Sequence, residues 1–61
     1  MAQSPTVMAF RKRCASYGYT EIRIYRLPEY HDTYLVMAKE PLGGNLIKVE
    51  LSSSQMYRAF R

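Results

Sequence analysis

The spacing of apolar side chains along this chain changes period twice. Val7, Phe10, Cys14 and Tyr17 recur three or four residues apart, which places them on one face of a helix, and Met8 and Ala15 widen that face on one side. Ser4-Pro5 supplies the start: Ser as N-cap, Pro at the first helical position, where its missing N–H costs nothing. Gly18 sits where a left-handed residue ends a helix, and Tyr19 can fold back on the last turn. Lys12, Arg13 and Ser16 point away from the stripe. Arg11 lies at its edge. Either its stem covers the core while the guanidinium reaches water, or it is a ligand-binding arginine.

From Thr20 the period is two. In TEIRIYRL, Ile22 and Ile24 share one face, and Glu21, Arg23, Tyr25 and Leu27 share the other. Pro28 ends this strand and PEYHD makes the connection. The run TYLVMAKE is apolar on both faces, the mark of a central strand. PLGGN is the second turn. NLIKVEL follows, with Ile47, Val49 and Leu51 on one face and Leu46, Lys48 and Glu50 on the other. These segments predict an antiparallel three-stranded meander with the first helix on one side. Placing Tyr25 opposite Leu35 pairs Ile22 with Ala38, Ile24 with Val36 and Arg26 with Tyr34 on the buried face. The other face then pairs Glu21 with Lys39 and Arg23 with Met37.

The period turns helical again at the end. Ser52 and Gln55 fit a capping box, and Leu51 with Met56 fits a hydrophobic staple. Met56 and Phe60 give this second helix a short apolar stripe, surrounded by Tyr57, Arg58 and Arg61. A helix so short is unstable alone and must dock on something. The whole chain, residues 1–61, therefore reads as one α+β domain of order αβββα. The flank of the sheet that the last helix covers is left open by the pattern. Double-stranded-RNA-binding domains share this element order. Their glycine–proline loop and lysine-rich last helix are replaced here by PEYHD and SSSQ, so the likeness is one of topology and assigns no function.

Size sharpens this picture. A chain of 61 residues buries only about 60% of the surface it exposes when unfolded, so its stability is marginal. One cysteine excludes an internal disulfide, and no His/Cys cluster offers a structural metal site. MAQSPTVMAF lacks the features of a signal peptide, and no run is long enough to span a membrane. These features predict a soluble, cytoplasmic protein.

Candidate catalytic groups are sparse. His31 neighbours Asp32 in a turn, but no nucleophile is placed by spacing. Cys14 lies on an apolar stripe and reads as a small core residue. Gly43-Gly44 lacks the Lys-Ser/Thr of a phosphate-binding loop. Glu21, Glu29, Asp32, Glu40 and Glu50 are scattered. The expectation is a protein that is not an enzyme and uses no cofactor or metal.

Charge gives the coherent signal. Nine Lys/Arg against five Asp/Glu leave a net charge of +4, accompanied by six tyrosines. Cations attract phosphates and phenol rings stack on bases, so the first expectation is a module that binds nucleic acid or a nucleoprotein complex. The candidate residues are Arg11, Lys12, Arg13, Arg23, Tyr25, Lys39, Lys48 and Arg58. The alternative is a protein-interaction module, such as a small phage- or mobile-element-type inhibitor, or a homodimer. It would act through Tyr25, Leu35, Met37 and Leu46 on the sheet's second face.

Overall fold

Helix α1 (Pro5–Ser16) begins and ends where its terminal residues dictate. The computed structural model describes residues 4–60. The Ser4 hydroxyl accepts from the Val7 N–H at 3.2 Å, satisfying one of the orphan donors of the first turn. At the other end Gly18 adopts φ +95°. Its N–H donates to Ala15 O and that of Tyr19 to Cys14 O, the paired bonds of a Schellman close.

Three strands follow, β1 (Thr20–Arg26), β2 (Thr33–Lys39) and β3 (Leu46–Ser52), in one antiparallel sheet of order β1-β2-β3. The expected register holds from Arg23↔Met37 through Ile24↔Val36 and Tyr25↔Leu35 to Arg26↔Tyr34. It fails at the start of β1. Thr20, not Glu21, lies opposite Lys39, because a bulge intervenes between Thr20 and Arg23. Glu21 and Ile22 thus share the place opposite Ala38, and Glu21 takes a left-handed φ of 51° within the bulge. Arg11 reaches this point: its Nη1 donates to Ile22 O at 2.9 Å. The guanidinium serves the backbone of this chain, a role neither reading of Arg11 anticipated.

Helix α2 (Ser53–Arg58) starts on the expected capping box, with Gln55 N–H donating to Ser52 Oγ and Ser52 N–H to Gln55 Oε1. It docks on the flank already occupied by α1. Met56, fully buried, joins Val7, Phe10 and Cys14 of α1 and Ile24 and Val36 of the sheet in one cluster, with Tyr19, Ile22, Tyr34, Leu51 and Ala59 around it. Burying such a side chain contributes about 2 kcal/mol, which a six-residue helix needs in order to exist.

This docking corrects the expected face of α1. Met8 and Ala15 are exposed, and Arg13 is turned inward, where its Nη2 donates to Met56 O at 2.7 Å. The buried sector of α1 is widened on the Thr6 and Arg13 side because α2 packs there. Arg13 also satisfies a carbonyl of the last turn of α2. Tyr17 belongs to the stripe but is 55% exposed; it stacks on Phe60, with ring centroids 4.6 Å apart. Phe60 also lies near Phe10 and Tyr19, so the end of the chain closes over the C-terminal end of α1. Arg61 lies outside the described residues.

Gly18 carries a second constraint. A Cβ there would stand 3.0 Å from Pro41 Cβ in the β2–β3 turn, whereas at Gly44, φ +66°, it would meet open space. Gly18→Ala should therefore destabilise by about 2 kcal/mol, and clearly more than Gly44→Ala, where only backbone strain acts. Urea unfolding midpoints of the two variants check this.

Candidate functional site

With both helices on one flank, the alternation of the strands sends the remaining side chains to the other. The pairing arranges them in rows across the sheet: Thr20, Lys39 and Leu46; Arg23, Met37 and Lys48; Tyr25, Leu35 and Glu50. Arg23, Tyr25, Leu46, Lys48 and Glu50 are exposed, while Leu35, Met37 and Lys39, on the central strand, are half-buried by their neighbours alone. Leu46 is 67% and Tyr25 47% exposed, a large apolar and aromatic area to leave in water. Cations stand on either side of Met37. The aromatic ring lies one row away.

Electrostatics within this face are not uniform. Lys39 Nζ is 2.8 Å from Glu21 Oε2, the only ion pair among the described residues. The Lys39 hydrogen bond first, and its charge second, hold the Glu21 carboxyl below its ordinary pKa; Arg23 adds a smaller pull in the same direction. Glu50 brings a second acid to the face. Its cations are thus Arg23 and Lys48, with Lys39 partly neutralised.

The other expected site residues lie elsewhere. Lys12 and Arg58 are exposed on α1 and α2, in the helical layer, while Arg11 and Arg13 donate to backbone carbonyls. The eight residues Arg11, Lys12, Arg13, Arg23, Tyr25, Lys39, Lys48 and Arg58 do not form one surface. The structure brings Arg23, Tyr25, Lys39 and Lys48 together, and gathers Tyr25, Leu35, Met37 and Leu46 on the same face. Thr20 joins them because of the bulge, for which the sequence offers no signal.

Groups considered for chemistry have structural surroundings. Asp32 accepts a short hydrogen bond from the Ser53 hydroxyl, tying the β1–β2 connection to the start of α2. The neighbouring His31 carbonyl accepts from Thr33 Oγ1 at 3.0 Å. Cys14 is buried, and desolvation raises its thiol pKa against the opposing charges of Arg13 and Arg11. A cavity of about 210 Å³ between the helices is lined by Pro5, Thr6, Ala9, Arg13 and Tyr57. Among the described residues no three His, Cys, Asp or Glu gather where they could hold a metal ion, and no helix is long and apolar enough to cross a membrane.

The fold and site define a small α+β domain with a helical layer on one side of a three-stranded sheet and a mixed basic, apolar face on the other. No family model, curated protein or solved structure matches the chain.

Two measurements test the geometry. Tyr25→Ser and Met37→Ser should each cost about 1 kcal/mol or less, whereas Met56→Ser should cost about 3 kcal/mol or more and unfold a domain of this size. Thermal unfolding separates them; comparable losses at Met37 and Met56 would place Met37 in the core. The second test is titration. Because the folded pKa of Glu21 is depressed, its pair with Lys39 contributes fully above the ordinary glutamate pKa, and this is lost as pH falls through the lowered value. An NMR titration should find Glu21 titrating below its ordinary range, and Lys39→Met should return it there.

Proposed function

We propose that this chain is a non-enzymatic binding module that engages nucleic acid, free or within a nucleoprotein complex, through its uncovered sheet face. The observation that carries this reading is the row Arg23, Met37, Lys48 beside Tyr25, on a sheet whose helices all lie on the opposite flank. Arg23 and Lys48, two strand spacings apart, offer cations to a phosphate backbone, and an exposed ring beside aliphatic side chains offers a base a stacking surface. Arg23, Tyr25, Lys39 and Lys48 are its contact residues. Arg11 and Arg13, committed to carbonyls, serve the fold.

A second reading has its own support. Glu50 and the Glu21–Lys39 pair dilute the positive potential, and Leu46 and Tyr25 expose apolar area that a phosphate backbone does not need. A protein partner seated on Tyr25, Leu35, Met37 and Leu46 would use that area.

Affinity for a single-stranded oligonucleotide as a function of salt distinguishes the two. Phosphate contacts from Arg23, Lys39 and Lys48 release about two counterions, so raising salt fourfold from about 50 mM should weaken binding roughly 20-fold. Replacing Arg23 and Lys48 by Ala should flatten that slope, while Lys12→Ala and Arg58→Ala should leave it unchanged. Binding that is absent at low salt, or that ignores Arg23 and Lys48, would overturn the nucleic-acid reading.

A further inference from the structure

The two edges of the sheet are treated differently. On β1 the bulge at Glu21–Ile22 breaks the line of backbone groups, and Arg11 occupies the Ile22 carbonyl. Both are devices that keep another strand from pairing there. Strand β3 has neither. It pairs with β2 without interruption over seven residues, Leu46 to Ser52, and among the described residues no strand pairs with its outer side.

The phase of its backbone follows from one bond. Glu40 N–H donates to Asn45 O at 2.8 Å, which closes the β2–β3 hairpin. Counting from that pair, Ala38↔Ile47, Val36↔Val49 and Tyr34↔Leu51 are the pairs that exchange hydrogen bonds. The N–H and C=O groups of Leu46, Lys48 and Glu50 therefore point away from the sheet. On the helical flank, the apolar residues of β3 lie only partly under cover: Val49 is 41% exposed, although Val36, its partner on β2, is 3% exposed.

We propose that β3 pairs with β3 of a second copy of this chain, antiparallel, about a two-fold axis perpendicular to the sheet at Val49. An antiparallel two-fold keeps equivalent faces on the same side, so registers can differ only in steps that preserve side-chain parity. Centred on Val49, the pairing sets Lys48 opposite Glu50 of the second copy, twice, and these are the residues whose free backbone groups face outward. It also sets Val49 against Val49 and Ile47 against Leu51 on the helical flank, covering the exposed apolar side chains. The neighbouring registers fail: centring on Lys48 opposes two lysines, and centring on Glu50 opposes two glutamates, both unfavourable. Of these three registers, the one centred on Val49 alone sets opposite charges against each other. Gln55 takes the Ser52 N–H, so the ladder ends at Glu50, leaving two reciprocal pairs of backbone hydrogen bonds. An interface this small gives a concentration-dependent dimer rather than an obligate one.

The dimer is a continuous six-stranded sheet with all four helices on one side. Its uncovered face is doubled, so each Arg23, Met37, Lys48 row gains a symmetry mate on the same plane. Pairing itself does not rest on the nucleic-acid reading and is measured without any nucleic acid.

Sedimentation equilibrium over a wide protein concentration range, combined with amide hydrogen exchange, tests it. The wild type should self-associate, with Lys48 and Glu50 amides gaining protection as concentration rises. Lys48→Glu and Glu50→Lys, both at exposed positions, should each weaken the dimer about tenfold or more, since each places like charges opposite. The doubly reversed variant should regain it. A wild type that stays monomeric at high concentration would overturn the proposal. So would a dimer that ignores both single reversals, because its interface would then lie on the open face or elsewhere.

Discussion

The layering of this protein depends on where Met56 goes. Helix α2 is too short to hold together in water and carries one buried apolar side chain, so its position is set by the pocket that side chain finds. That pocket is made by Val7, Phe10 and Cys14 of α1 and by the inward residues of β1 and β2. Three further contacts hold the helix in place. Arg13 bonds the Met56 carbonyl, Ser53 bonds Asp32, and Phe60 stacks on Tyr17. Each joins the chain's last segment to an element far away in sequence. Together they put both helices on one flank and leave the other bare.

The same economy governs the charged residues. A basic chain of this size has few spare cations, and the fold uses two on its own backbone and one on a tyrosine ring. Arg11 satisfies a carbonyl beside the bulge, Arg13 satisfies a helix end, and Arg26 lies over the Tyr34 ring, 5.8 Å from its centroid. What remains outside the helical layer is concentrated on the open face and, through Lys48, along the β3 edge. Recognition and self-association would therefore share a strand but not a surface: side chains of β3 face outward from the sheet, while its backbone faces sideways.

Much of this was legible in the sequence, for reasons that can be named. Ser4-Pro5, Gly18 and the Ser52–Gln55 box act within a few residues, so local chemistry suffices to place both helices. The register from Arg23 onward follows from alternation, because a slip of one residue would turn Ile24 and Val36 to solvent. The bulge was not legible. Glu at positive φ has no sequence signature, and the contacts that flank it, Arg11 to the Ile22 carbonyl and Lys39 to the Glu21 carboxylate, come from residues distant in sequence. Arg13 was misplaced because helical angle alone ignores what packs alongside; it lies beyond the stripe until α2 arrives. The side chosen by α2 was illegible for the same reason, since Met56 and Phe60 would suit either face of the sheet.

The central claim is that the flank bearing Arg23, Tyr25, Leu35 and Met37 is free in the isolated chain. Paramagnetic attenuation of methyl signals by a soluble, uncharged probe tests it most directly. Met37 and Leu35 methyls should be strongly broadened, while the Met56 methyl is spared and shows nuclear Overhauser contacts to Phe10. Protection of Met37 equal to that of Met56 in the monomer would contradict it.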